Sequence, residues 1–234
     1  MQAKPRSHVV FLGGRGVHYE ERSPSPLLAP WVAVHWRIAT EVDFELRIPP
    51  DGCMDLIGGD VVGTFSSFGT ARLRAGGVFS GIRFHPGGFP ALFGIPASEL
   101  VDRRVPIHDV APRFRTLEHL ATKAERPDPL VRAVLNARSV RAVAQECGYG
   151  ERQLRRRLIA ATGHGPKRLQ RIARMQRLLL DGRSGTWARS AVEHGYFDEA
   201  HMAGDVAELV GATPHALLER PFLPSAETSA VVPS

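Results

Sequence analysis

The sequence predicts an α+β fold, with a small antiparallel β sheet or barrel and short helices first, and an all-α half after it. Short runs rich in β-branched and aromatic residues, separated by Gly, Pro and Ser, fill the chain up to Phe84. Beyond residue 128 the apolar residues recur at helical spacing. The 234 residues are 43% hydrophobic and 23% charged, which is ordinary for a globular protein with a real core.

The predicted strands share β-branched and aromatic residues bounded by turn-forming residues. They are Trp31–Thr40, Phe44–Ile48, Cys53–Ile57, Val61–Phe65, Ala71–Arg74 and Val78–Phe84. Three prolines at 24, 26 and 30 predict an irregular lead-in over residues 1–30, with one edge strand at His8–Leu12.

Helical patterns begin after this series of strands. Pro86–Phe93 and Pro96–Leu100 are predicted as short helices, the second capped by Ser98, and Ala111–Ala124 as a longer amphipathic one. The polar, Pro-containing stretch Glu125–Pro129 is the best linker candidate. It divides the chain into a β-rich regulatory domain (1–126), a helical domain (127–223) and a disordered tail (224–234).

The predicted helical domain contains an internal repeat. In each copy an Ala is followed four residues later by Gly-Tyr, first at Gly148 and then at Gly195, and about fourteen residues on by another Gly, with a Pro three residues after it. A small Ala allows two helices to cross closely, and the turn Gly supplies a positive φ. The repeat predicts two helix-turn-helix units joined by a long helix, Pro166–Leu180. The flanking helices are predicted at Asp128–Ala137, Trp187–His194, Asp198–Val210 and, last, ending near Leu218.

Positive charge is concentrated in one segment. The net charge of the chain is +6, but residues 150–177 hold nine basic residues against one acidic residue, a local charge of +8. Residues 178–223 hold three basic and seven acidic residues, a local charge of −4. A focused positive field on a helix-turn-helix pattern predicts a phosphate backbone as partner, because phosphate neutralisation releases counterions.

Residues 130–223 resemble the DNA-binding domain of the AraC/XylS family of bacterial transcription regulators, which consists of two helix-turn-helix units and a connecting helix. The N-terminal half resembles a segment often fused to such domains, through PDGCMDLI (Pro50–Ile57), GIRFHPGG (Gly81–Gly88) and PASELVDRRV (Pro96–Val105). The resemblance implies a regulator of transcription with an effector-sensing N-terminal domain.

The first unit carries the predicted DNA contacts. Arg152, Arg155 and Arg156 lie three and four residues apart, on one face of the second helix of the unit. Arginine suits bidentate contact with guanine, so a G-rich half-site is expected. By resemblance these three match base- and backbone-contacting positions of the family. Phosphate contacts are predicted for Gln153 and Arg157, which flank this face. On the long helix, contact with phosphate or exposure to solvent is predicted for Lys167, Arg168 and Arg171.

The second unit departs from the family pattern. Its contact positions are Glu199, Ala200, His201 and Gly204, and the family commonly has Arg at the place of Gly204. We therefore expect the first unit to dominate affinity, with His201 as the best contact of the second.

A small-molecule site is predicted among the polar residues of the strands. Trp36, Asp51, Asp55, Arg83 and His85 would line a pocket for an anionic effector if the sheet closes into a barrel. In the alternative, Asp51 caps its turn, Cys53 is core and Arg83 pairs with an acid. A metal site from Cys53 and His85 has weak support, and Cys147 is expected to be buried.

No cofactor, metal site or catalytic motif is predicted, so the chain is expected not to be an enzyme. An alternative is a DNA-alkylation-response protein with a reactive Cys53. The expected partners are promoter or operator DNA, a small-molecule effector and, for an activator, RNA polymerase; a homodimer stays open. No apolar run approaches the roughly 18 residues of a membrane helix, and two separate cysteines suit a reducing compartment, so a cytoplasmic location is predicted.

Overall fold

Residues 16–137, 139–181 and 186–216 are described by the computed structural model, and the predicted α+β class is confirmed. The edge strand predicted at His8–Leu12, the tail 224–234 and the end of the last predicted helix lie outside these residues. The strands are β1 (Val17–Arg22), β2 (Val32–Thr40), β3 (Phe44–Ile48), β4 (Met54–Ile57), β5 (Asp60–Val62), β6 (Gly69–Leu73), β7 (Val78–Phe84) and β8 (Arg104–Pro106).

Six strands form one antiparallel sheet in the order β1-β2-β7-β4-β5-β8, and β3 pairs with β6 as a separate two-stranded sheet. Strand β2 alternates buried and more exposed side chains, as a strand covered on one face does. Tyr19 and Ile38 on the large sheet pack with Leu46 and Leu73 of the β3–β6 pair. A second cluster, around Phe84 and Phe89, joins the large sheet to short helices.

The helices are α1 (Gly88–Phe93), α2 (Ile107–Val110), α3 (Leu117–Ala121), α4 (Pro129–Asn136), α5 (Val140–Glu146), α6 (Glu151–Thr162), α7 (Pro166–Asp181), α8 (Trp187–Glu193) and α9 (Glu199–Val210). Their starts follow ordinary capping chemistry. Asp128, Ser139 and Thr186 each accept a backbone N–H of the helix that follows, and Pro129 occupies the first turn of α4.

Several predictions for the N-terminal half were wrong. Strand β1 was missed because the prolines that follow it suggested an irregular segment, although its residues alternate between buried and exposed. Strand β8 and helix α2 were missed because they are only three and four residues long. The helix predicted over Ala111–Ala124 is confined to Leu117–Ala121, since Pro112 disfavours helix at the residue before it and Thr116 caps a new start. Residues 97–99 form a 3₁₀ turn after Pro96, and Ser98 does not cap it.

The C-terminal half contains two similar helix pairs, α5–α6 and α8–α9, with α7 between them. Gly148 and Gly195 begin the two turns with φ of 67° and 79°. The Tyr after each Gly donates its backbone N–H to the carbonyl of the expected Ala, at 2.9 Å in both copies. Helices α6 and α9 both end at a left-handed Gly, which is the common way to satisfy the last carbonyls.

One loop of the sheet half contacts the ends of both α6 and α9. Thr64 Oγ1 lies 2.9 Å from Nε2 of His164, just after α6, and the Phe68 ring covers Gly211, just after α9. The Ser66 carbonyl between them accepts from the Arg168 guanidinium of α7. The sheet therefore supports both helix pairs from the same side. Within the described residues, no helix combines the length and apolar character needed to span a membrane.

Candidate nucleic-acid interface

Helix α6 has one buried and one open face. Leu154 and Leu158 are 1% and 0% exposed and pack against α4, α5 and α7. Arg152, Arg155 and Arg156 are exposed. Since residues three and four apart share a helix face, the arginines form a cationic ridge at the start of α6.

The arginine that follows this ridge, Arg157, is 38% exposed but is bonded to neighbouring side chains. Nε of Arg157 donates to Oδ2 of Asp128 at 2.8 Å, and its guanidinium lies 4.7 Å above the Tyr149 ring, to whose hydroxyl it also donates. A phosphate contact by Arg157 would break this arrangement. We therefore assign Arg157 to the junction of α4 with the α5–α6 turn.

Three arginines of α7 are also engaged, with acidic residues of α9. Asp205 of α9 is 4% exposed and accepts from Nε of Arg171 at 2.8 Å and from Nη2 of Arg174 at 3.4 Å. Glu208 accepts from Arg168 and Arg171, and these hydrogen bonds lower the pKa of its carboxyl group. The negative charge of the second unit thus neutralises the inner side of α7.

Four cations of the basic segment make no ion pair among the described residues: Arg152, Arg155, Arg156 and Lys167. Three of them belong to the ridge on α6. The unpaired positive charge available to a ligand is therefore smaller than the local charge of +8, and most of it lies on α6.

The start of α9 presents weaker contact groups. Glu199, Ala200 and His201 are exposed, and so is Gly204. The His201 backbone N–H is capped by Asp198 at 2.7 Å, and its ring meets Tyr196 edge-on at 5.4 Å. The helix offers one imidazole and one carboxylate where α6 offers three guanidinium groups.

Four of the five residues predicted for an effector pocket do come together, as a buried polar cluster. Strand register places Asp55 directly opposite Arg83, and each side chain is about one-tenth exposed. The Asp55 carboxylate accepts from Nε and Nη2 of Arg83 at 3.3 Å, and from Nε1 of Trp36 at 2.7 Å. Gly81 makes room for this indole, because a Cβ there would lie 2.6 Å from the ring.

Asp51 completes the cluster from the turn before β4. One oxygen accepts from the Cys53 backbone N–H at 2.8 Å, and the other lies 3.3 Å from Nη1 of Arg83. Burial raises the pKa of Asp51, and the nearby Arg83 opposes that shift. This is the arrangement of the alternative interpretation, in which Asp51 caps its turn and Arg83 pairs with an acid.

Three other residues considered for a ligand or metal site, or for the core, are His85, Cys53 and Cys147. His85 follows β7 and faces the Ala29 carbonyl, 3.3 Å away. Cys53 is buried at 4% exposure, as the structural alternative expected. Cys147, predicted to be buried, is exposed because it caps the short helix α5 on the outer side of the turn.

An open cleft of about 830 Å³ separates α1 and the linker from the outer side of α6. Its apolar lining includes Phe93 and Leu120, and its charged lining includes Lys123 and Arg126. Sequence reasoning missed this cleft, because it is formed by residues about seventy positions apart that only the fold brings together.

His164 makes the contact between the sheet and α6 sensitive to pH. Its side chain is buried, and burial, followed by the charge of Arg168, lowers its pKa to about 4. Because the unfolded chain has a His pKa of about 6.5, acid favours unfolding. The free energy of unfolding should be highest above pH 6.5 and fall as the pH approaches 4, with this group responsible for about 2 kcal/mol between pH 7.5 and 5.

The measurement is urea unfolding of the wild type and of His164→Asn at both pH values. Other titrating groups are common to the two proteins, so the difference between their pH profiles isolates His164. Parallel profiles would show that the imidazole is not buried in its neutral form.

Comparisons with known proteins cover the N-terminal half best. Residues 20–106 match the family model described as "Domain of unknown function (DUF6597)". This range contains all three stretches on which the resemblance of the N-terminal half rested. No curated protein gives a significant match.

Solved structures give distant similarities only. The crystal structure of ToxT from Vibrio cholerae O395 aligns at 11% identity and a TM-score of 0.38, covering 87% of this chain and 96% of that chain. An apo variant of ToxT from strain SCE256 aligns at 11% identity and 0.37, over 88% and 97% of the two chains. Wild-type ToxT from the same strain, with unsaturated fatty acid bound, aligns at 10% identity and 0.37, over 94% and 98%. Similarities this weak leave the function to be derived from the chain's own residues.

Proposed function

We propose that this protein is a non-enzymatic, sequence-specific DNA-binding regulator of transcription, in which α5–α6 and α8–α9 act as helix-turn-helix units. The helix that follows the turn in such units enters the major groove with its N-terminal residues. In α6 those residues include Arg152 and the pair Arg155 and Arg156, whose guanidinium groups suit guanine edges and phosphates.

One observation carries this proposal. Of the nine basic residues between 150 and 177, four make no ion pair in the described structure, and three of these lie together on α6, with Lys167 at the start of α7. Four other arginines of the segment are neutralised by Asp128, Asp205 and Glu208. A polyanion with a groove fits this distribution.

The proposed regulator responds to a small molecule, for which we favour the cleft over the Arg83 cluster. The cleft is open, and it touches both α1 of the sheet half and Ala160 and Ala161 of α6. A ligand there would contact the reading helix directly. The groups of the Arg83 cluster, in contrast, already satisfy one another.

The test is selection of duplexes from a random-sequence pool by the full-length chain, followed by affinity measurements at several salt concentrations. We expect enrichment of G-containing sites. Log affinity should fall linearly with log salt, with a slope of about −0.9 for each phosphate contacted. A folded chain that enriches no sequence would overturn the proposal.

A further inference from the structure

The two helix pairs differ by one residue in their turns. Helix α6 begins three residues after Gly148, and α9 begins four residues after Gly195. In both copies the Tyr after the Gly donates its backbone N–H to the Ala carbonyl, and the residue just before each helix, Gly150 or Asp198, occupies the N-cap. The additional residue of the second turn is therefore Phe197.

Phe197 is the most exposed large apolar side chain in the described part of the chain, at 86%. Single exposed apolar residues are common on protein surfaces, so exposure alone carries little weight. The position of this one is what matters. It immediately precedes the cap of α9, at the helix end that corresponds to the arginine ridge of α6.

The backbone holds Phe197 at this place. Its N–H donates to Nδ1 of His201 at 3.3 Å, and the His201 N–H is bonded to Asp198. The His201 ring in turn packs edge-on against the buried Tyr196. The backbone of Phe197 is thus tied to the first turn of α9, and its exposed ring lies beside that turn.

The start of α9 lacks the arginines through which α6 is proposed to contact guanine and phosphate. Cations are absent from the first turn of α9 in the structure, and Glu199 is exposed there. A carboxylate beside a phosphate backbone disfavours a purely electrostatic contact. An apolar ring, however, matches one feature of the major groove, the C5-methyl group of thymine.

We propose that Phe197 makes the second unit a reader of a thymine methyl group. This inference rests on the proposed DNA-binding function and deepens it. The first unit supplies guanidinium contacts to guanine and phosphate, and the second adds an apolar contact that selects thymine over cytosine at one position of the site.

The test uses a duplex selected by the full-length chain, in which each thymine is replaced in turn by deoxyuridine. This replacement removes only the C5-methyl group. Burying one such group is worth a factor of about four in affinity, so one or two positions should lose about four-fold. Phe197→Ala should lose a similar factor on the unmodified duplex and show no further loss at those positions.

Val192→Ala is the matched control, since Val192 on α8 is also exposed, at 66%. It should keep both the affinity and the response to deoxyuridine, and circular dichroism should show both variants folded. Failure to select any duplex refutes the DNA-binding function itself. A selected duplex whose thymines all tolerate deoxyuridine, or a deoxyuridine loss that persists in Phe197→Ala, refutes the role of Phe197 alone.

Discussion

Arg155→Ala should weaken binding to a selected duplex by roughly ten- to a hundred-fold, because one good base contact by an arginine is worth about 1–3 kcal/mol. Arg155 is exposed on the cationic ridge of α6 and makes no ion pair among the described residues, so its guanidinium is available to DNA. His201→Ala should cost much less. The imidazole stands beside Glu199 on a helix end that carries no cation in the described structure.

Arg72→Ala is the control for loss of one positive charge. Its side chain is 83% exposed on β6, in the sheet half, and lies 3.7 Å from Glu45. Fluorescence anisotropy with one labelled duplex at fixed salt would compare the three variants. Equal losses for His201→Ala and Arg155→Ala would mean that the two units share the affinity evenly, contrary to the prediction.

The ridge illustrates how far the sequence alone could go. The spacing of Arg152, Arg155 and Arg156 was sufficient to place them on one helix face, because that face is fixed by local geometry. The fate of the other arginines was not predictable. The charges of +8 and −4 gave no indication of which residues pair, and only the packing of α9 on α7 shows that Asp205 lies between Arg171 and Arg174.

The strands show the same division between local and long-range information. Strands β3 and β7 occur with the predicted bounds, since alternation and turn residues are local properties. The pairing that places Asp55 opposite Arg83 depends on strand order, which brings β7 between β2 and β4. Sequence reasoning could name these residues as a polar set, but it could not decide between an open pocket and a closed ion pair.

Whether the Arg83 cluster is an open pocket or a closed ion pair can be tested by measuring the free energy of unfolding. Asp55→Ala should lower the free energy of unfolding by about 3–5 kcal/mol, because removing one partner of a buried ion pair leaves the other charge uncompensated. The Arg83 side chain is one-tenth exposed, and it would keep only Asp51 as a carboxylate partner. The Trp36 indole N–H would also lose its acceptor.

Glu45→Ala provides the matched comparison, because Glu45 lies 3.7 Å from Arg72 on the exposed side of the β3–β6 pair. Such surface pairs contribute about 0–1 kcal/mol. Urea unfolding at neutral pH measures both variants. A large loss for Asp55→Ala alone would identify the Arg83 cluster as a closed part of the sheet core. If Asp55→Ala were as stable as Glu45→Ala, the guanidinium would have to be satisfied in another way, and an anionic effector bound at Arg83 would again be the better interpretation of the cluster.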